Sequence, residues 1–265
     1  MSKPLFISIE GGDGAGKGTQ IRLLSKWLQA QQIDYILTRE PGGCPSAEVL
    51  RKLVVEGEDD DWDGVSELLL YSAARREHLR KTVLPALKSG TWVISDRFAD
   101  STTVYQGVGR GVDAEQVNQI HDIVVGENWP DLTLILDIDP TVGIGRSKAN
   151  VHADGQVNQE TRFENLDLSF HKKVREGFIR IAKNNRGRCV LINADDTPEN
   201  VHLNIIKELE KRVEIYPAWK VWLATKNCKM IYNNFLKAAT CPMRFCCLAE
   251  KGLEKACWPN ISLAV

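Results

Sequence analysis

The chain has 265 residues, of which 26% are charged, and its formal net charge at pH 7 is −1. This length suffices for a substantial core, and one α/β domain with an appendage is the simplest organisation. The balanced charge gives no electrostatic footprint for DNA or RNA. No window approaches the ~20 apolar residues of a membrane span, and the N-terminus lacks a signal-peptide pattern. We therefore expect a cytoplasmic protein with no nucleic-acid or membrane partner.

Short aliphatic and β-branched runs alternate with helical patterns through the first 212 residues. The runs predict strands at 5–10, 35–38, 92–95, 132–138 and 189–193. The helical patterns predict helices at 17–32, 45–56, 64–88, 113–126, 140–149, 166–185 and 197–212. This alternation is typical of a parallel sheet with crossover helices, so we predict an α/β fold with a central five-stranded parallel sheet flanked by helices.

A glycine-rich loop joins the first predicted strand to the first predicted helix. It reads Gly11-Gly12-Asp13-Gly14-Ala15-Gly16-Lys17-Gly18-Thr19. Such a loop leaves backbone N–H groups unpaired at the positive end of a helix, and Lys17 can reach the outer phosphates of a nucleotide. In the usual pattern a Ser or Thr follows the Lys directly, whereas here Gly18 intervenes and the hydroxyl arrives on Thr19. The loop predicts nucleotide binding, with a flexible glycine turn as the alternative, and leaves the chemistry open.

Two further motifs are informative. One follows the second predicted strand, and the other lies in the third predicted helix. Thr38-Arg39-Glu40-Pro41-Gly42-Gly43 is either a plain turn or a ligand loop, and Arg39 at a strand end favours the ligand loop. Tyr71 and Arg75 are four residues apart, so on a helix they share one face and present a ring and a cation together. Helix statistics alone favour a different interpretation, a buried Tyr beside a solvated Arg.

The third strand ends in Asp96-Arg97, at the edge where ligands gather in open α/β sheets. Asp96 is placed to hold a magnesium ion, mainly through water, and Arg97 offers a fork for a phosphate. A structural ion pair is the alternative. The polar stretch Asp100-Ser101-Thr102-Thr103-Val104-Tyr105-Gln106-Gly107 can read a base or sugar edge, although alone it would pass as an ordinary helix start.

Residues 147–163 are polar and have no apolar period, which predicts a mobile loop or lid. Arg146, Lys148 and Arg162 frame this segment. Cations on a closing loop can reach a bridging phosphate and exclude water. A solvated basic loop is the alternative.

Residues 213–265 differ in kind from the preceding 212. They hold five of the seven Cys and three of the seven Trp, and their charge is +4 (seven Lys and Arg less three Asp and Glu) against −5 before them (27 less 32). An odd number of cysteines without a secretion signal argues against a disulfide framework. A metal site or a docking helix is conceivable, and a loosely ordered extension is the simplest interpretation.

Taken in this order, the motifs resemble those of bacterial thymidylate kinases over about residues 4–212. The most specific matches are Thr38–Gly43, Tyr71–Arg75 and Ser95–Phe98 through Gly107. The resemblance implies a P-loop nucleoside-monophosphate kinase fold with a mobile lid. It also implies transfer of the ATP γ-phosphoryl group to dTMP with magnesium, giving dTDP and ADP, by a homodimer.

The resemblance implies a role for each matching residue. Lys17, Asp96, Arg97, Arg146 and Arg162 would be catalytic, Gly11 to Thr19 would bind ATP, and Thr19 and Asp96 would hold the metal. The acceptor dTMP would contact Asp13 through its sugar, Arg97 and Arg39 through its phosphate, Tyr71 by stacking, Arg75 through an exocyclic oxygen, and Thr102, Tyr105 and Gln106 at the pocket wall.

Two features leave alternatives open. The stretch Asp13-Gly14-Ala15 has no cation before Lys17, so lid cations would have to meet the transition-state charge. The run Gly18-Thr19-Gln20 is similar to that of adenylate- or cytidylate-type kinases, and a non-catalytic nucleotide switch could use the same fold.

Overall fold

The computed structural model describes residues 3–55, 61–154 and 166–212. All five predicted strands are present: β1 (Phe6–Gly11), β2 (Tyr35–Arg39), β3 (Trp92–Asp96), β4 (Leu132–Asp137) and β5 (Cys189–Asn193). They form one parallel sheet in the order β2-β3-β1-β4-β5. This confirms the predicted five-stranded parallel sheet.

The described helices cover both faces of this sheet. They are α1 (Lys17–Ala30), α2 (Pro45–Val55), α3 (Gly64–His78), α4 (Leu84–Lys88), α5 (Ala99–Thr102), α6 (Ala114–Val124), α7 (Pro140–Asp154), α8 (Leu168–Asn184) and α9 (Pro198–Arg212). A π-helical turn, Leu79–Val83, joins α3 to α4, and a second, Thr103–Gly109, continues α5. The helix predicted at 64–88 is therefore continuous but contains a wider turn, and the helical stretch 99–109 was not among the predicted helices.

Helix α7, which follows β4, is longer than the sequence predicts. We expected it to end at residue 149 and a loop to occupy 147–163, but α7 continues to Asp154. The segment 147–154 contains no Gly or Pro, and the first helix-breaking residue is Gly155. Backbone hydrogen bonds propagate a helix through such a segment even without an apolar face. The remainder of the predicted lid, with Arg162, lies outside the described residues, as does the extension 213–265.

Strand β1 lies at the centre of the sheet, and all six of its residues are buried. Such full burial is what an apolar run in a doubly covered parallel sheet requires. On one face Phe6 packs edge-on against Phe98, with ring centroids 4.9 Å apart, in a cluster that includes Leu79 and Val83. The same face continues over β4, where Ile135 packs with Val174, Phe178 and other residues of α8 and the second π turn.

The strand order places a crevice at one edge of the sheet. Strands β1 and β3 are neighbours in the sheet. From β1 the chain crosses to β2, which lies on the β3 side, and from β3 it crosses to β4, which lies on the β1 side. The direction of the crossover connections therefore reverses between β1 and β3. Ligands of open α/β sheets bind outside the carboxyl ends of strands at such a reversal. The glycine-rich loop and the Asp96-Arg97 pair both lie there. In the described part of the chain, no helix has the length and apolar character to cross a bilayer.

Candidate active site

The glycine-rich loop adopts backbone conformations that favour glycine. Gly14 and Gly16 have φ values of +70° and +89°, and α1 begins directly after Gly16. Side chains rarely adopt this left-handed region, so glycine is the favoured residue. A Cβ at Gly14 would also lie 1.8 Å from the carbonyl oxygen of Gly143. The loop therefore packs directly on the first turns of α7, backbone against backbone.

Lys17 lies over this loop. Its Nζ donates to the carbonyl oxygens of Gly11 and Gly12 at 3.2 and 2.9 Å. Burial, followed by the nearby positive charge of Arg97, lowers the pKa of Lys17, while Asp13 and other carboxylates oppose that shift. The ammonium group is thus held where an incoming phosphate would meet the N-terminus of α1.

Arg97 joins the glycine-rich loop to the neighbouring cleft. Its Nη2 donates to Asp13 Oδ1 at 2.8 Å and its Nη1 to the Gly11 carbonyl at 3.1 Å. The guanidinium also lies 5.1 Å from the centroid of the Tyr105 ring. Arg97 has a φ of +68°, a costly conformation for a residue with a side chain, and such strain concentrates at functional sites. The strained turn after β3 points the guanidinium back toward β1.

A buried glutamate at the end of β1 supports this strained turn. The Phe98 N–H donates to Glu10 Oε1 at 2.7 Å, and Ser101 Oγ donates to Glu10 Oε2 at 2.6 Å. Arg97 Nη1 in turn donates to the Ser101 hydroxyl at 3.2 Å. Burial, followed by repulsion from Asp100, raises the pKa of Glu10 to about 8. Sequence reasoning missed Glu10, although a carboxylate in a strand otherwise apolar and doubly covered is a signal that could have found it.

Two carboxylate oxygens at this edge are available to a cation. Asp96 Oδ1 and Asp13 Oδ2 are buried and have no hydrogen-bond partner among the described residues. Within residues 3–55, 61–154 and 166–212, no cluster of three or more His, Cys, Asp or Glu forms a metal cage. Magnesium suits such a site, because it keeps several waters and binds through one or two carboxylates together with substrate phosphates. Thr19 lies half-buried in the first turn of α1.

A cleft of about 690 Å³, open to solvent on one side, lies next to Arg97. Seven of the eight residues predicted to bind the acceptor line it: Asp13, Tyr71, Arg75, Arg97, Thr102, Tyr105 and Gln106. The other lining residues are Glu40, Pro41, Arg51, Val55, Phe98 and Ser101. Arg39 is not among them, because its side chain is 56% exposed and pairs with Glu48 at 3.3 Å.

Tyr71 and Arg75 share one face of α3, as their spacing predicts, and both line the cleft. The interpretation of Arg75 as solvated is wrong, since the residue is 2% exposed. Its Nε donates to Glu40 Oε2 at 2.7 Å and its Nη2 to Thr102 Oγ1 at 2.9 Å. The carboxylate offsets the cost of burying the guanidinium. Nη1 is buried and has no partner in the described part of the chain.

Gln106 is oriented by another buried glutamate. Its Nε2 donates to Glu67 Oε2 at 2.9 Å, and Arg110 Nη2 donates to the other Glu67 oxygen at 3.1 Å. Glu67 is fully buried. Because the amide nitrogen is engaged with Glu67, the orientation of the Gln106 amide at the cleft wall is determined.

Arg51 is a functional candidate that sequence reasoning missed. It lies on α2, lines the cleft, and donates through Nη1 to the Pro41 carbonyl at 2.6 Å. Burial and then the charge of Arg39 lower its pKa. The signal was available, because Ala47, Arg51 and Val54 are spaced by four and three residues. A cation therefore lies on the buried face of an amphipathic helix.

The two lid cations that were predicted to be catalytic have different outcomes. Arg146 donates to the Ala194 carbonyl at 3.0 Å and pairs with Asp195 at 3.4 Å, at the end of β5. Its contacts are thus with the loop after β5 rather than with the glycine-rich loop. Arg162 lies outside the described residues, and its role stays a prediction.

Comparisons with known proteins agree with this geometry. The family model described as thymidylate kinase matches residues 9–205. A thymidylate kinase of Magnetococcus marinus is 49% identical over 207 residues, covering 78% of this chain and 96% of the relative. A thymidylate kinase of Maridesulfovibrio salexigens is 41% identical over 210 residues, covering 79% and 97%.

A solved structure is similar as well. The crystal structure of thymidylate kinase from Ehrlichia chaffeensis superposes with a TM-score of 0.63 at 36% sequence identity, covering 78% of this chain and 98% of that one. The sheet order, the glycine-rich loop and the cleft beside Arg97 are thus found in a chain whose sequence matches the family model over most of its length. The chain belongs to the thymidylate kinase family.

Proposed function

We propose how the residues of this site divide the work of the reaction, in which ATP phosphorylates dTMP to dTDP. Family membership establishes that the protein is an enzyme of this kind, and the adenylate- or cytidylate-type and switch alternatives are not favoured. The observation that carries the division is the position of Arg97, which bonds Asp13 of the glycine-rich loop on one side and borders the cleft on the other. Donor and acceptor would meet at this guanidinium.

On the donor side, the loop from Gly11 to Thr19 would hold the ATP phosphates. Its backbone N–H groups and the positive end of α1 favour an anion. Lys17 would exchange its present carbonyl partners for the outer phosphate oxygens. Holding the phosphates in line with the acceptor is the main contribution that a protein makes to phosphoryl transfer.

On the acceptor side, the cleft would hold dTMP with its base against Tyr71 and Arg75. The free Nη1 of Arg75 suits the exocyclic oxygen of thymine, because a guanidinium only donates. Arg97 and Arg51 would grip the phosphate, with Arg39 contributing from the exposed rim. Asp13 would meet the sugar side of dTMP. Thr102, Tyr105 and Gln106 would form the wall that shapes the pocket.

We propose magnesium as the cofactor. The buried and unpartnered oxygens of Asp96 and Asp13 support it, and Thr19 is the nearest hydroxyl that follows Lys17 in sequence. The metal would neutralise charge on the transferred phosphoryl group. Cations at the lid would add to this, either Arg162 or Arg146 once released from Asp195.

We propose that the enzyme works as a homodimer in the cytoplasm. Apolar side chains on neighbouring helices support the dimer: Leu69 of α3 is 52% exposed and Ile123 of α6 is 75% exposed. Burial of such residues against a second copy would remove apolar surface from water. Light scattering on the purified chain would measure its mass, and Leu69→Lys would lower it to that of a monomer if α3 lies in the interface.

The experiment that tests the acceptor assignment is a coupled ADP-release assay across dTMP, dUMP, AMP and CMP. We expect a clear preference for dTMP, and a preference for AMP or CMP would refute the assignment. Arg97→Ala should damage the use of dTMP far more than the binding of ATP. Equal loss of both would contradict the role of Arg97 on the acceptor side.

A further inference from the structure

Arg75 stands at the end of a row of buried polar side chains that extends away from the cleft. The row consists of Thr38, His78, Glu40 and Arg75, and we call it the Arg75 relay. Thr38 and Glu40 are two residues apart at the end of β2, and Arg75 and His78 are three apart on one face of α3. One strand end and one helix face thus contribute alternate members.

The bonds along the relay are short and continuous. Arg75 Nε donates to one oxygen of Glu40 at 2.7 Å, and His78 Nδ1 lies 2.8 Å from the other. A carboxylate that pairs with Arg75 accepts hydrogen bonds, so His78 Nδ1 is the donor to Glu40. His78 Nε2 lies 2.6 Å from Thr38 Oγ1, and this bond extends the row to the end of β2. His78 is completely buried and Glu40 is 5% exposed, so water does not compete for these bonds.

The loop after β2 is shaped to leave room for the relay. Gly43 has a φ of +81°, and a Cβ there would lie 2.4 Å from Thr38 Oγ1 and 2.6 Å from His78 Nε2. Any side chain at this position would enter the bond between those two residues. The second glycine of the Pro-Gly-Gly turn is therefore explained by the relay as well as by its backbone conformation.

The geometry points to a positioning function for the relay: Glu40, held by His78 and Thr38, fixes the guanidinium of Arg75 so that its free Nη1 faces the base in the cleft. This rests on the base-reading role proposed for Arg75. With Nε bonded to Glu40 and Nη2 bonded to Thr102, the guanidinium plane has one orientation, and Nη1 is the donor left for a ligand.

The consequence is specificity for the oxygen at position 4 of a pyrimidine. A fixed donor can donate to a keto oxygen there, whereas it opposes the amino group of cytosine, which also donates. A guanidinium free to swing would avoid the amino group and would lose much of its bond to the keto oxygen. His78 and Glu40 are thus positioning residues that determine specificity. Of the relay residues behind Arg75, only Glu40 lines the cleft, and His78 and Thr38 do not.

The test compares dTMP with dCMP in the full-length enzyme at saturating ATP. The readouts are KM for dTMP and the inhibition constant of dCMP as a competitor. His78→Phe keeps the ring volume and removes both bonds, so KM for dTMP should rise about tenfold, as expected for losing a good hydrogen bond to a charged group. The dCMP inhibition constant should fall or stay the same, because a guanidinium that can swing avoids the amino group, and KM for ATP should not change. His78→Asn, which keeps a donor toward Glu40, should recover part of the loss, and Thr38→Val should cause a smaller one.

Thr82→Val is the matched control, since the Thr82 hydroxyl donates to the Gly43 carbonyl at 2.8 Å from outside the relay. It should leave the discrimination between dTMP and dCMP intact. The inference is overturned if Thr82→Val has the same effect as His78→Phe, or if His78→Phe weakens dTMP and dCMP in parallel or changes neither. If His78→Phe does not fold, Thr38→Val and His78→Asn decide by the same criterion.

Arg75→Ala separates this inference from the proposed function. If Arg75→Ala abolishes the discrimination and the His78 variants do not, Arg75 reads the base and the relay alone is refuted. If Arg75→Ala leaves the discrimination intact, the base-reading role is wrong and the relay inference falls with it.

Discussion

Glu10 predicts a pH dependence of stability that one substitution can isolate. The carboxyl is fully buried, and its pKa rises from 4.5 to about 8 through burial and then through repulsion from Asp100. Below pH 4.5 the group is protonated in both the folded and the unfolded chain, and it contributes no pH dependence. As the pH rises from 4.5 through 8, the unfolded chain releases the proton first, so the free energy of unfolding falls.

The size of this effect follows from the shift. A change of about 3.5 pKa units at about 1.4 kcal/mol each gives roughly 5 kcal/mol of stability lost between pH 4.5 and pH 8 or above. Glu10→Gln has no proton to release. It also weakens the bonds to Phe98 and Ser101 by an amount that does not depend on pH. The difference in unfolding free energy between variant and wild type should therefore shift by several kcal/mol in favour of the variant as the pH rises.

Urea unfolding followed by circular dichroism at pH 5.5, 7.0 and 8.5 measures this difference. Titrating groups far from Glu10 cancel between the two proteins, because they are common to both. Glu115→Gln, at an exposed carboxylate in the first turn of α6, is the control and should give a difference that is nearly constant with pH. A constant difference for Glu10→Gln as well would refute the reasoning, since it would mean that Glu10 does not titrate differently in the folded and unfolded chain.

Three further predictions follow from individual contacts. Arg51→Ala should raise KM for dTMP by about tenfold or more, whereas Arg39→Ala at the exposed rim should change it little; equal effects in steady-state kinetics would contradict the inward position of Arg51. Asp96→Asn should raise the magnesium concentration needed for half-maximal rate, and an unchanged magnesium titration would show that Asp96 is not near the metal. Arg188→Leu should lower the free energy of unfolding by about 3–5 kcal/mol, because it strands the buried Asp100 that Arg188 pairs with at 2.6 Å; a loss below about 1 kcal/mol in urea unfolding, typical of an exposed pair, would contradict this.

The sheet could be predicted almost completely from the sequence. The three inner strands β1, β3 and β4 are short apolar runs that are buried on both faces. The edge strands β2 and β5 are partly exposed but are also mainly apolar, so the runs alone marked all five strands. The helix ends were less predictable. The end of α7 at Asp154 rather than residue 149 shows why: loss of apolar periodicity signals loss of packing, and a helix without breakers does not end where packing ends.

The side chains that face the cleft were also predictable, because they follow strand ends or share a helix face. Tyr71, Arg75, Arg97, Thr102, Tyr105 and Gln106 all line it. Arg39 differs because alternation along β2 turns it outward to Glu48 and turns Glu40 inward. Sequence reasoning took the cation of that motif as its functional residue, whereas the cleft is lined by the carboxylate next to it.

What the sequence did not reveal is the layer beneath the cleft. Three buried glutamates lie there: Glu10 under Arg97 through Ser101, Glu40 under Arg75, and Glu67 under Gln106. Burying a carboxylate costs several kcal/mol unless bonds compensate. Each of the three accepts bonds from two side-chain or backbone donors, which come from distant segments of the chain. For Glu10 these bonds offset the cost only in part, since burial still raises its pKa.

That cost is the physical reason for the layer and for its invisibility in the sequence. A carboxylate that must keep two donors to remain buried holds those donors in turn, so the residues that face the substrate inherit a fixed orientation. The partners are far apart along the chain: Arg75 and Thr102 are separated by 27 positions, and Glu10 and Ser101 by 91. Local patterns report which residues reach the cleft, whereas only the fold shows what holds them there. The residues that these glutamates orient include Arg75 and Arg97. The cleft therefore combines positive charge for a phosphate with the rigidity needed to distinguish one base from another.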